Sequence, residues 1–484
     1  MPESNTIRAG FATRDITPTT FPKKTGAEDS RFTGVLEPLL ARMILLEGMD
    51  APMALLYAEV IAFHSEFAKR LAEKIERAIG VPASRIFCFT SENHSAPENL
   101  WEPDAAYLKS IEQTFIAGLK DAGRDMVPVE MALARGTVER IASNRRLKMR
   151  DGSGRSKFQY QFPAFARRNV WVYDHQLDEP LPPQSEIVGS GPIDNEVRIM
   201  SLREVGGEIR SLIVNYSCHV SAAILSSDYS RDFVGHLERY LSDKMETAVP
   251  VVFARANAGN INANDHISKR RDDGDAREVG CRLGEAILPL VQSLSYHPLR
   301  SCECTTVPVR LDVRKEFQIS CRDKWEGALR QSLHKAEARG ADENEIRVLR
   351  SKLKKAAEYG EWIDHYLQLA DQGYVDRFPE RGVHDTAVMF FRLNNAVLVG
   401  YPGEMFVEYG LRLKAESPLS WVFPTDDTNN YKAYIGTEEA YAEGGYETGM
   451  NRWNVVAPDS GERLYNAALQ GLQAISRESH VTDT

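Results

Sequence analysis

Residues 85–97 read RIFCFTSENHSAP, a short apolar run that passes directly into a polar cluster. Runs of β-branched and aromatic residues bounded by Gly, Pro, Asn and Asp predict buried strands. Four further runs in the chain end in the same way. They are SLIVNYSC before His219, VPVVFARA before NAGNINAND at 257–265, NAVLVGYP before Gly403 and Glu404, and LSWVFPT before DDTNNYKAY at 426–434.

The polar clusters after these five runs contain groups suited to catalysis. Ligands bind at the carboxyl ends of strands in open α/β sheets, so we expect the five segments to bring their side chains to one place. Those side chains are Glu92, His94, His219, Asn262, Glu404 and Tyr434. The pattern therefore predicts an enzyme site. The alternative is five ordinary strand-to-loop turns, where Asn, Gly and Asp are common in any case.

Amphipathic helices are predicted between several of these strands. Segment 66–80 has apolar residues four positions apart and ends at Gly80, which is typical of a helix stop. Further helices are predicted over 106–122, 231–245 and 276–294. Alternation of strands and helices predicts the α/β class, with a mixed or mostly parallel sheet, or sheets, flanked by helices.

The composition limits the classes of partner. The chain has 484 residues, a net charge of −10 and 43% hydrophobic residues, as soluble globular proteins do. Without a basic stripe, neither nucleic acid nor stable association with an anionic membrane is expected. No run approaches the length of a membrane span, and the N-terminus lacks an apolar secretory segment. Together with six cysteines and no C-x-x-C pair, this predicts a cytoplasmic protein.

Two segments depart from the alternation. Residues 322–371 predict an inserted helical hairpin, broken at Gly340 and restarted by a capping box at Asp342 and Glu345. Its dense charge is typical of a solvated helical face, so we expect it to be dispensable for the fold core. A role in forming a homo-oligomer is the alternative. Residues 145–192, rich in Arg, Gly, Pro and aromatics, predict either a functional loop or lid or a β-rich excursion.

Several short motifs follow one another along most of the chain. They are GFATRDITP at 10–18, HSAP at 94–97, FARANAGNINAN at 253–264, PGE at 402–404 and the segment from Asn429 to Glu447. Their order resembles the neutral/alkaline (non-lysosomal) ceramidase family, a group of zinc-dependent amidases. The resemblance implies a single elaborated α/β catalytic domain over 1–484 that contains the hairpin. It also implies that the immunoglobulin-like C-terminal domain of longer members is absent.

The resemblance implies a metal site. The family binds zinc through two His, a Glu and a Tyr, and His219, Glu404 and Tyr434 match three of these by position. The first histidine of the family's H-T-H-S-G-P falls on Glu92, because the run here reads E-N-H-S-A-P. Glu92 is therefore the fourth expected ligand. Two carboxylates make the site rich in oxygen, which suits one divalent ion, with Zn²⁺ expected first and Mn²⁺ or another divalent ion as the alternative.

The resemblance also implies four catalytic residues. The second histidine of the motif, which contacts substrate in the family, matches His94. The family's substrate-orienting arginine matches Arg145, and a second active-site tyrosine matches Tyr446. The family's serine falls on Asn262. An asparagine cannot act as the nucleophile, but its amide can donate a hydrogen bond to a carbonyl or an oxyanion.

These expectations describe a ceramidase-like amidase, a metal-dependent hydrolase. It would use a metal-bound water on an amide (N-acyl) or related bond of a small soluble substrate. Two alternatives stay open. One is a metal-assisted lyase or hydrolase that acts on an acidic, uronic-acid-containing carbohydrate, with a Tyr or His removing the α-proton. The other is a non-catalytic, ceramidase-like binding protein. The expected partner is thus a small molecule or an oligosaccharide.

Overall fold

The computed structural model describes residues 6–20, 32–97, 99–100, 103–157, 182–263, 273–449 and 454–482. The strands in these ranges are β1 (Arg8–Asp15), β2 (Gly34–Val35), β3 (Leu40–Leu46), β4 (Met53–Ala58), β5 (Ile86–Thr90), β6 (Val127–Thr137), β7 (Ala142–Asn144), β8 (Arg146–Met149), β9 (Gly154–Ser156), β10 (Ile187–Ser190), β11 (Glu196–Glu204), β12 (Ile209–Tyr216), β13 (Asp228–Tyr229), β14 (Val251–Arg255), β15 (Ile261–Ala263), β16 (His297–Pro298), β17 (Cys302–Asp312), β18 (Val383–Leu393), β19 (Ala396–Gly400), β20 (Glu404–Met405), β21 (Trp421–Thr425) and β22 (Tyr434–Ile435). The α-helices are α1 (Ser65–Ile79), α2 (Ala105–Arg124), α3 (Asp232–Met245), α4 (Asp273–Gln292), α5 (Ile319–Ala338), α6 (Glu343–Asp371), α7 (Phe378–Arg381), α8 (Val407–Glu416), α9 (Glu438–Glu443) and α10 (Ser460–Thr482).

Two mixed sheets form the framework. The larger has the strand order β14-β12-β11-β6-β1-β3-β4-β5, with β16 paired to β6. Its neighbours run antiparallel except at the two ends, where β12 with β14 and β4 with β5 are parallel. The second sheet has the order β17-β18-β19-β21, and β19 and β21 are parallel. The predicted α/β class is confirmed, and the sheets are mixed rather than mostly parallel.

All five apolar runs form strands, and these strands belong to the three parallel pairs within the two large sheets. Strands β5, β14 and β19 are buried along their whole length, which explains why their sequences are almost continuously apolar. Main-chain hydrogen bonds connect the loop after β21 to the other two parallel pairs. The amide of Asp426 donates to the carbonyl of Arg255 over 3.0 Å, and that of Asn429 donates to Cys88 over 2.7 Å. The polar clusters that follow the strands therefore meet at one edge.

The predicted hairpin forms helices α5 and α6, and Asp342 caps the second by accepting a hydrogen bond from the amide of Glu345. The expectation that the whole segment is dispensable is wrong for its last third. Ile363, Tyr366 and Leu369 are buried in the core of the second sheet. The charged residues that dominate the segment conceal this short apolar stretch, which sequence analysis did not separate from the solvated part.

The Arg- and aromatic-rich segment 145–192 lies partly outside the described residues, which omit 158–181. Its described flanks contribute β8, β9 and β10, which form a small antiparallel sheet. The choice between a lid and a β-rich excursion therefore stays a prediction. None of the helices within the described ranges is long and apolar enough to cross a membrane.

Candidate active site

His219 lies just beyond β12 and is 1% exposed. Its Nδ1 is 2.8 Å from the carbonyl oxygen of Ile261, which can only accept, so Nδ1 carries a proton. In the neutral ring, Nε2 then presents a lone pair. This atom lies 3.1 Å from Glu92 Oε1 and 3.1 Å from Glu404 Oε2. Three acceptor atoms thus converge in a buried space, an arrangement that calls for a cation or a proton among them.

The contacts between His219 and Glu92 shift the pKa values of both groups. Burial lowers the pKa of His219, but the charge of Glu92 and hydrogen bonds to both carboxylates outweigh that effect and raise it. Burial raises the pKa of Glu92, but Arg255 and His219 hold it well below its usual value. Glu92 is therefore a carboxylate at neutral pH, as a metal ligand has to be.

The converging atoms have a spacing that fits a metal ion. Donors about 2.0–2.2 Å from a tetrahedral Zn²⁺ lie roughly 3.3–3.5 Å from one another. Ligand atoms of Glu92, His94 and His219 all lie within 4.8 Å of each other. Glu404 Oε1 accepts a hydrogen bond from the Tyr431 hydroxyl over 2.9 Å, whereas its buried Oε2 faces His219 Nε2 at 3.1 Å and Arg255 Nη1 at 3.7 Å. These residues therefore fit a divalent cation.

Backbone strain is concentrated around these ligands. Glu92 has a φ of 59°, in the left-handed region that non-glycine residues rarely adopt. Asp427, Asn429 and Ala433, in the loop after β21, share this conformation. Asn429 fastens the loop to β5, since its side chain accepts from the amide of Cys88 over 2.6 Å. Strained residues of this kind cluster at functional sites, where the surrounding structure holds them in place.

Arg145 organises the other side of the site. Its Nε donates to Glu447 Oε1 over 2.7 Å, and its Nη1 donates to Asn262 Oδ1 over 3.0 Å. The guanidinium lies over the ring of Tyr434 at 5.1 Å and that of Tyr446 at 5.5 Å from the centroid. Arg145 thus holds the Asn262 amide and the rings of Tyr434 and Tyr446 in fixed positions. Its Nη1 lies 3.4 Å from His219 Nε2.

The structure brings all the predicted site residues together in one network of contacts. They are Glu92, His94, Arg145, His219, Asn262, Glu404, Tyr434 and Tyr446. His94 Nε2 lies 3.3 Å from Glu92 Oε1, and the His94 side chain is 17% exposed, more than that of either Glu92 or His219. The ring of Tyr434 is 6.4 Å from that of His219. The individual roles of these residues stay predictions.

Sequence analysis missed Arg255, Asp426 and Asp427. Arg255 is fully buried at the end of β14, and its Nη2 lies 2.5 Å from Asp427 Oδ2. The signal was an arginine inside the apolar run VVFAR, because a charge in a buried strand is costly unless it is paired. Burial raises the pKa of Asp426 to about 7, although Arg255 lowers it. With a pKa near 7, Asp426 holds a proton for part of the time at neutral pH, which reduces the negative charge around Arg255.

Comparison with known proteins supports the fold. No protein-family model and no curated protein sequence matches this chain. Two solved structures have the same fold, a ceramidase-like α/β architecture. One is the neutral ceramidase from Pseudomonas aeruginosa, with a TM-score of 0.65 and 16% identity over 98% of this chain and 75% of that chain. The other is a ceramidase complexed with C2, with a TM-score of 0.66 and 15% identity over 98% of this chain and 76% of that one. The fold that the motifs implied is thereby confirmed.

Proposed function

We propose that this protein is a metal-dependent hydrolase that cleaves an amide (N-acyl) bond of a small soluble substrate. The observation that carries the proposal is the convergence of His219 Nε2 with Glu92 Oε1 and Glu404 Oε2 at 3.1 Å each in a buried site. The shared fold supports the choice of bond, because the two solved structures are ceramidases and ceramide is an N-acyl compound.

In this proposal, Glu92, His219 and Glu404 hold one divalent ion, with Tyr434 as the fourth ligand. Zn²⁺ is expected first, because it accepts imidazole and carboxylate ligands in one site. When bound, such an ion polarises the bond under attack and lowers the pKa of a water molecule toward neutrality. The ligand set keeps one imidazole among oxygen donors, so Mn²⁺ is the next candidate.

The protein's own residues would then orient the substrate and move protons. Asn262 directs its amide nitrogen away from Arg145 and donates a hydrogen bond to negative charge that develops on the substrate. The His94 side chain is 17% exposed and lies 3.3 Å from Glu92, which suits a group that delivers a proton to the leaving amine. Arg145 and Tyr446 fix the position of the acyl group.

The lyase alternative has less support. A tyrosine that removes an α-proton needs a pKa brought down toward neutrality. Burial raises the pKa of Tyr446 to about 12 even though Arg145 lowers it, and burial raises that of Tyr434 well above its usual value. The protein alone prepares neither phenol as a base, which leaves a histidine as the base that the lyase alternative would need.

Metal analysis joined to a substrate screen tests the proposal. The purified protein, stripped with a chelator and reloaded with Zn²⁺, should bind about one equivalent per chain, as a single site of this ligand number requires. A panel of N-acyl amino acids, esters and uronic-acid oligosaccharides should show cleavage of an N-acyl compound only in the loaded protein. Failure to take up any divalent ion would remove the metal mechanism, and turnover of the oligosaccharides alone would select the carbohydrate alternative.

A further inference from the structure

Arg255 contacts two of the candidate metal ligands, Glu92 and Glu404. Its Nη1 lies 3.1 Å from Glu92 Oε2 and 3.7 Å from Glu404 Oε2. Glu92 therefore uses one oxygen toward His219 and the other toward Arg255. The guanidinium is fully buried, and its second nitrogen is paired with Asp427.

A guanidinium keeps its charge under all ordinary conditions, so this cation cannot be switched off. The charge of Arg255 has the same sign as that of a divalent ion held by Glu92 and Glu404, so Arg255 would repel that ion. It also attracts the carboxylates, which would repel one another across the site whenever no metal is present. The repulsion acts in the metal-loaded protein, and the attraction between Arg255 and the carboxylates matters most in the metal-free protein.

We propose that Arg255 is a permanent counter-cation of the metal centre, a positioning residue that weakens metal binding and keeps the metal-free site assembled. The proposal rests on the proposed metal site. Through Glu92 and Asp427, Arg255 links the loop after β5 to the loop after β21. Both linked residues have left-handed backbones, which need such external support.

The test compares variants that differ only in the charge at position 255. Arg255→Gln alone would leave Asp427 without its partner, so the double variant Arg255→Gln/Asp427→Asn replaces the ion pair with an amide pair. Asp427→Asn is its matched control, because it keeps the arginine. Dissociation constants for Zn²⁺ and Mn²⁺ are measured by competition with a fluorescent chelator. The double variant should bind both ions more tightly than Asp427→Asn, by about tenfold at least, because a neighbouring positive charge is gone.

The metal-free state gives a second readout. Thermal unfolding of the chelator-treated proteins should show a lower Tm for the double variant than for Asp427→Asn, and saturating Zn²⁺ should abolish most of that difference. Arg255→Lys retains the charge but cannot span Glu92 and Asp427 as a fork does. It should therefore bind metal within about threefold of the wild type, since its charge is unchanged, yet unfold at a lower temperature when metal-free.

The possible outcomes distinguish the role of Arg255 from the proposed hydrolase function. Equal affinities in the double variant and Asp427→Asn overturn the role of Arg255 and leave the metal site in place. Metal uptake by the double variant but not by the wild type supports the counter-cation and overturns the metal-dependent hydrolase. No uptake by any variant overturns both. If the double variant does not fold with or without Zn²⁺, a metal-free Arg255→Lys that is as stable as the wild type overturns the proposal.

Discussion

Arg145 Nη1 donates a hydrogen bond to Asn262 Oδ1 over 3.0 Å, and both side chains are buried. A guanidinium can only donate, so the amide oxygen has to face Arg145 and the amide nitrogen has to face away from it. Within the part of the chain that the structure describes, that nitrogen has no hydrogen-bond acceptor. This orientation is the one that the proposed role of Asn262, donation to a substrate oxygen, requires.

We expect Asn262→Ala to lower kcat by roughly 10²–10³, the usual cost of removing one oxyanion donor. Its metal content should stay unchanged, because the side chain contacts Arg145 rather than the carboxylates. Asn262→Asp should be slower still, since a further negative charge repels an anionic transition state. Steady-state kinetics with metal analysis of each variant checks this, and near-normal turnover in Asn262→Ala would mean that the residue only shapes its loop.

Asn262→Ser places a hydroxyl where the resembled amidases carry one. We expect Asn262→Ser to have a higher kcat/KM on N-acyl substrates than the wild type, because a hydroxyl can also donate to the developing charge and leaves more room for the acyl group. The measurement is kcat/KM on a series of N-acyl amines, with Asn262→Ala as the size-matched control. A serine variant no faster than the alanine variant would show that the asparagine geometry is required.

His219→Ala and Glu404→Ala should lose bound metal, while His94→Ala should keep it and lose turnover. The reason is that His219 Nε2 lies between the carboxylates of Glu92 and Glu404, whereas His94 contacts Glu92 from a more exposed position. Elemental analysis after reloading distinguishes the two classes. Loss of metal from His94→Ala would make His94 itself a ligand, as the grouping of Glu92, His94 and His219 also allows.

Glu447 should make stability depend on pH below neutrality. It pairs with Arg145 at 2.7 Å and with Arg146 at 3.0 Å. Burial raises its pKa, but the two arginines outweigh this and hold the pKa below its usual value. The resulting stabilisation is complete above the unfolded-state pKa and is lost as the pH falls through the folded-state pKa.

Glu447→Gln should remove this component of the pH dependence. At pH 7 we expect it to lower the free energy of unfolding by about 3–5 kcal/mol, as when one partner of a buried ion pair is removed. Urea unfolding of both proteins between pH 7 and pH 3 provides the comparison. The difference between them should shrink as the pH falls; a constant difference would mean that Glu447 acts through packing rather than through its charge.

The sequence was informative where strands are buried on both faces. The run before Glu92 is almost continuously apolar because β5 is buried along its length, and the polar residues after it stand out for that reason. Arg255 was missed because it stands within such a run, VPVVFARA, where it reads as an interruption rather than as part of a site. Its partners Glu92 and Asp427 are 163 and 172 residues away along the chain, so only the fold brings them together.

The helical segment 319–371 offers a matched pair of substitutions. Leu369 is 4% exposed in the core of the second sheet, whereas Leu353 lies on the half-buried part of the same helix. Leu369→Ala should cost about 2–5 kcal/mol, because it leaves a cavity, and Leu353→Ala less than about 1 kcal/mol, as substitutions outside the core do. Urea unfolding measures both, and light scattering after gel filtration records the oligomeric state. If Leu353→Ala costs as much as Leu369→Ala and also halves the mass, then the hairpin buries Leu353 against a second copy, and the segment is an interface as well as part of the core.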